Sequence, residues 1–151
     1  MQPGCYTELF FLDEATALAA GHRPCGECRR DAYLKFRQAW LRGNLGVLAQ
    51  NASIADIDAQ LHQDRVGLGG TNVRFPAVVG ELPEGTFVVL PEQPDSAWLW
   101  WRGKLLPWSP HGYGQPLAND GNTAMQVLTP RSTVRALAAG YRAACHATAP
   151  A

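Results

Sequence analysis

Net charge is what this chain most conspicuously lacks. Thirteen basic and thirteen acidic side chains cancel over 151 residues, so no global field draws it toward nucleic acid or an anionic membrane. Long apolar runs are missing too, which excludes a membrane-spanning helix from the reading. The first residues, Met1-Gln2-Pro3-Gly4, carry neither a basic region nor an apolar stretch of the kind a secretory signal needs. Cysteine is scarce, at four residues. Without a signal, four Cys argue for reduced thiols in a cytoplasm rather than a disulfide framework. A Gly-x-Ser-x-Gly nucleophile elbow is absent, so an α/β-hydrolase is not indicated. Lysine is rare, since eleven of the thirteen cations are Arg, a bias that an Ala-rich composition accounts for without function.

What is present is enough for a folded core. With 46% hydrophobic residues, a chain of this length can bury an interior without staples. Thr7 to Leu12 reads as a short buried strand. Asp13 is expected to cap a helix from Glu14 to Ala20, with Gly21 ending it in the left-handed conformation. A second helix is expected from Arg29 to Leu41 and stopped by Gly43, with Tyr33, Phe36 and Trp40 on its buried stripe. Ser53 followed by Asp56 marks the start of a third, running to about Asp64. The period then changes. Thr86 to Leu90 and Met125 to Leu128 read as strands, and Trp98-Leu99-Trp100-Trp101 and Lys104-Leu105-Leu106 flank Arg102-Gly103, a two-residue hairpin signal. In that hairpin Trp98 and Trp100 share one sheet face. Thr129 and Pro130 look like the N-cap and first residue of a last helix ending at Gly140.

The fold class is therefore α+β: helices, a small antiparallel sheet, then a C-terminal helix. Residues 1–64 and 65–151 form either two lobes or one continuous domain. Ala17-Leu18-Ala19-Ala20-Gly21 recurs as Ala136-Leu137-Ala138-Ala139-Gly140, an echo that Ala-rich helices with glycine ends produce by chance.

The chemistry concentrates in His22-Arg23-Pro24-Cys25-Gly26-Glu27-Cys28-Arg29-Arg30. A Cys-x-x-Cys turn lets both sulfurs point at one centre, as tetrahedral zinc requires. The same spacing serves redox dithiols whose first Cys sits at a helix start. A zinc reading needs further ligands. Cys5 and His22 are the nearest candidates, and Cys145 with His146 are distant ones. Between His22 and Gly43 the chain carries a local net charge of plus four, so Arg23, Arg29, Arg30 and Arg37 are candidates for phosphate contact.

Phe10-Phe11, Glu14-Ala15 and Ala19-Ala20-Gly21-His22-Arg23-Pro24-Cys25-x-x-Cys28-Arg29 resemble the metal-binding domain of the Ada alkylation-repair proteins over residues 9–30. The resemblance implies that Cys25 and Cys28 are two zinc ligands and that neighbouring Arg residues approach a DNA backbone. That family carries an upstream Cys-x-x-x-Cys pair, one member of which accepts a methyl group from a DNA phosphotriester. Here Cys5 stands alone, and the family's usual aromatic residue is replaced by His22.

A second cluster follows the hairpin, at Trp108-Ser109-Pro110-His111-Gly112-Tyr113. In it Ser109, His111 and Tyr113 would line a small-molecule pocket, with His111 a base and Asp120 or Asp95 its orienter. Ordinary turn chemistry accounts for the same residues. Two function classes follow. The first is a small zinc-binding protein that contacts duplex DNA. The alternative is a metal-dependent hydrolase of esters, lactones or amides, in which an incomplete ligand set leaves a position for water and the partner is a small-molecule substrate. An interaction domain with inert cysteines is the third.

Overall fold

The computed structural model of the protein describes residues 10–46 and 52–151. These form four α-helices and seven antiparallel strands, an α+β arrangement with a helix after the last strand.

Helix α1 spans Glu14–Ala19. Asp13 caps it by accepting from the Thr16 backbone N–H at 2.8 Å and the Thr16 hydroxyl at 2.7 Å. Gly21 ends it at φ +82°, where its N–H reaches Leu18 and that of His22 reaches Ala17. This is the paired bonding of a glycine-terminated helix. The end of the last helix, α4 (Arg131–Ala138), repeats it: Gly140 bonds Leu137 and Tyr141 bonds Ala136. The sequence echo thus encodes one capping chemistry used twice.

Helix α2 spans Arg30–Leu45 and runs straight through Gly43, ending instead at Gly46 with φ +79°. Gly43 is a crossing point, not a stop. A Cβ placed there would lie 2.3 Å from the Arg135 carbonyl oxygen of α4. Phe36, Ala39, Trp40 and Leu41 are buried, whereas Tyr33 is only half-buried. Helix α3 spans Ile54–Arg65 and opens with the expected reciprocal cap between Ser53 and Asp56. Leu18, Phe36, Trp40, Ile57, Leu61, Ala136 and Leu137 form one apolar cluster. The helices on both sides of residue 64 contribute to it.

The strands are β1 (Phe75–Val78), β2 (Thr86–Leu90), β3 (Gln93–Trp101), β4 (Lys104–Ser109), β5 (Gly112–Tyr113), β6 (Leu117–Ala118) and β7 (Ala124–Val127). Their order is β1-β7-β2-β3-β4-β5, with β6 also on β4. The β3–β4 turn has Arg102 at φ 49° and Gly103 at φ 72°, the two positive φ values of the tight hairpin the sequence announces. Register sets Phe87, Leu99 and Leu106 side by side. That row packs with Ala15 of α1, Tyr113 and the half-buried Cys145. Val88, Trp98, Trp100 and Leu105 gather with Met125 and Val127 in a separate cluster.

Two local expectations are corrected. Thr129 does not cap α4. Its hydroxyl oxygen accepts from the buried Phe87 N–H of β2 at 2.8 Å, and Pro130 occupies the cap position. Of the expected first strand, Thr7 to Leu9 lie outside the described residues, and Phe10 to Leu12 adopt no strand.

Candidate functional site

Gly21 releases the chain from α1, Pro24 is buried, and residues 26–29 turn directly into α2. The Arg29 N–H closes this turn on the Cys25 carbonyl at 3.1 Å. Both thiols are exposed. The Glu27 N–H donates to Cys25 Sγ at 3.4 Å. The Cys28 N–H, then that of Glu27, then the Cys28 thiol hold the Cys25 thiol below its ordinary range. Cys28, donating to Cys25, is pushed up.

Two arginines bracket the turn, and both are held by the protein's own carboxylates. Arg23 makes a bidentate pair with Asp58 of α3 (Nε–Oδ1 2.6 Å, the second nitrogen 2.9 Å) and lies 5.5 Å from the Tyr33 ring centroid. The Asp58 hydrogen bond raises the Arg23 pKa further. Tyr33 is thus a wall of the turn, packed against Gly26 as well. Arg29 pairs with Glu14 of α1 at 3.0 Å. Glu14 is itself buried and accepts from the Tyr141 hydroxyl at 2.9 Å and the Ala144 N–H at 2.8 Å. Its neighbour Asp13 accepts from the Tyr113 hydroxyl and the His146 N–H at 2.7 and 2.9 Å. This acidic pair fastens the C-terminal segment to the start of α1. Its only trace in the sequence is a helix cap.

The two thiols line a groove of about 870 Å³ whose apolar side is built from Phe10, Phe11, Ala17 and Leu18. His22 lines it too, its ring 5.1 Å from that of Phe11. Burial, and then the Arg65 charge, lower the His22 pKa. Cys5 lies outside the described residues. Cys145 sits elsewhere, under Phe87 and Leu99. Burial first, then the Asp13 and Glu14 charges, push its thiol up to about 12. The His146 Nδ1 engages the Thr148 hydroxyl at 2.9 Å. Among the described residues, no three His, Cys, Asp or Glu side chains converge on one point.

The remaining phosphate candidates divide. Arg37 donates to the Ala52 carbonyl at 3.0 Å. Arg30 is exposed on the first turn of α2, and no carboxylate pairs with it among the described residues.

The second cluster is not assembled into a catalytic triad. Ser109 donates to the Gly112 carbonyl at 2.8 Å and accepts from the His111 N–H, which is turn bonding. His111 is exposed. Asp120 accepts from the Asn122 N–H in a turn just after β6, and β6 pairs with the Lys104 end of β4. Ser109 is at the other end of that strand, about 16 Å away at 3.3 Å per residue. Asp95 is exposed at the outer part of β3.

No protein-family model, curated protein or solved structure matches this chain. No helix among the described residues is long and apolar enough to cross a membrane.

Proposed function

We propose that the protein binds zinc through Cys25 and Cys28, with the turn acting as a zinc knuckle and Cys5 and His22 as the further ligands. The observation that carries this is the presence of two exposed cysteines, three residues apart, in one turn that the Arg29 N–H closes on the Cys25 carbonyl. Metal binding then orders little extra chain, and each thiolate replaces a proton with the cation. His22 on the same groove supports the same reading, as does the Ada-like pattern through Cys28. Nucleic-acid contact is not part of the proposal. Two of the four candidate arginines, Arg23 and Arg29, are already neutralised by Asp58 and Glu14.

Metal analysis of reduced protein, purified without a metal-affinity tag, tests the reading. One equivalent of zinc is expected, with loss of most of it in Cys25→Ser and in Cys28→Ser. Substoichiometric metal that neither substitution changes would defeat the proposal. Cys5→Ser and His22→Phe then show which side chain completes the site.

A further inference from the structure

We propose that Cys25 and Cys28 also work as a thiol–disulfide exchange pair, closing into an intramolecular disulfide at the expense of a small external disulfide. Three observations carry it. The two cysteines are three residues apart in one turn, which the Arg29 N–H closes on the Cys25 carbonyl at 3.1 Å, a spacing that a disulfide can bridge. Both are exposed, at the mouth of an open groove, so a second disulfide can approach in line. The turn also fixes the Cys25 side chain, whose Sγ accepts from the Glu27 N–H at 3.4 Å.

The exchange balances. The Cys25 thiolate attacks one sulfur of the external disulfide, forming a mixed disulfide and expelling a small thiolate that takes up a proton. Cys28 gives its proton to solvent and attacks Cys25 Sγ, forming the Cys25–Cys28 bond and releasing the second small thiol. Two protein thiols are oxidised and one external disulfide is reduced to two thiols. Cys145 takes no part, because it is packed beneath the sheet. On the zinc reading above, the same closure removes two ligands and ejects the metal, so the groove alternates between a metal-holding and an oxidised form.

The test treats the full-length reduced protein, metal-free and zinc-loaded, with oxidised glutathione, quenches with acid, alkylates and maps the cysteines by mass spectrometry. Complete loss of alkylation at Cys25 and Cys28 is expected, with a bond between them and Cys145 still alkylated. Cys28→Ser should instead accumulate glutathione on Cys25. Cys25 and Cys28 remaining alkylatable, or Cys28→Ser failing to trap glutathione at Cys25, would overturn the exchange proposal. So would closure of Cys25 onto Cys5. The metal assay is separate: disulfide closure in protein that never holds zinc sinks only the zinc reading, and stoichiometric zinc without closure sinks only this one.

Discussion

Replacing Glu14 by Ala removes a carboxylate that serves three donors at once: the Tyr141 hydroxyl, the Ala144 N–H and the Arg29 guanidinium. The Tyr141 hydroxyl loses its acceptor where the residue is only 5% exposed, whereas Ala144 is exposed and its N–H can turn to water. A buried donor left without a partner costs about 1–3 kcal/mol. The Arg29 pair adds little, roughly 1 kcal/mol at most, because its side chain is 47% exposed and solvent screens it. Relief of carboxylate desolvation offsets part of the loss, which leaves about 1–3 kcal/mol, close to the cost of the orphaned Tyr141 hydroxyl alone. With a urea m-value of roughly 2 kcal/mol/M, the midpoint should fall by about 0.5–1.5 M. Glu14→Gln keeps one acceptor oxygen but turns an amide N–H₂ toward a donor, so it should fall between Ala and wild type. Arg29→Met should cost more than a screened surface pair would, because it leaves the buried Glu14 carboxylate without its counter-charge. A double-mutant cycle of Glu14→Gln with Tyr141→Phe should give a coupling of about 0.5–3 kcal/mol. Glu14→Ala within about 1 kcal/mol of wild type, or a coupling near zero, would refute the view that this residue fastens the C-terminal segment to α1.

Three further outcomes follow from particular contacts. Gly43→Ala should destabilise by about 1–3 kcal/mol through overpacking against the Arg135 carbonyl, although helix propensity alone favours Ala by about 1 kcal/mol; a raised melting temperature would mean that α2 and α4 do not cross there. Thr129→Val should cost about 1–3 kcal/mol by orphaning the buried Phe87 N–H, with Thr129→Ser retaining most of the stability, as urea midpoints would show. Alkaline pH should weaken the fold, because Cys145 is raised to about 12 from 9.0 and Tyr113 and Tyr141 are raised from 10.0. The unfolded chain releases these protons first, so stability falls as pH rises above about 9. Cys145→Ala should flatten the early part of that fall in a pH series of urea midpoints, and an unchanged slope would contradict the assignment.

Local rules in the sequence carried the parts of the fold that local chemistry controls. Asp13, Gly21, the Ser53–Asp56 box and Arg102-Gly103 each dictate a cap or turn through their own backbone bonds, and all four are realised. What stayed hidden depends on residues far apart in the chain. Gly43 has a helix-stopping identity, yet the oxygen that explains it belongs to Arg135. Thr129 is a good cap by type, but its hydroxyl is taken by a β2 backbone donor 42 positions away. Tyr33 fits the helical stripe and is nevertheless drawn into the turn, where Arg23 lies over its ring. Pro76 obscured β1, which is an edge strand, where a missing N–H is tolerated. At the site, Cys25, Cys28 and His22 were legible because spacing alone brings them to one groove. Glu14 and Asp58 were not, because a carboxylate's partner cannot be read from its neighbours.

Those two carboxylates change what the basic segment means. Arg23 and Arg29 stand immediately outside the Cys-x-x-Cys unit, one before it and one after, and each is clamped from a different helix. Asp58 reaches from α3 and Glu14 from α1, so the turn is held at both ends. For either arginine to meet a phosphate it would first have to leave its carboxylate, and in the case of Glu14 that would strand a charge only 7% exposed. The exposed Arg23–Asp58 pair contributes little to stability by itself. Its effect is geometric: a turn whose ends are fixed loses less conformational freedom when its two sulfurs take a common partner. That holds whether the partner is a metal ion or, through a disulfide, each other. Cutting both clamps with Asp58→Asn and Arg29→Met should therefore leave the thiols present and exposed but weaken zinc affinity and slow disulfide closure together. Competition with a chromogenic chelator and quenched alkylation would measure the two. An unaltered pair of values would show that the turn needs no clamps, and that the arginines must be explained some other way.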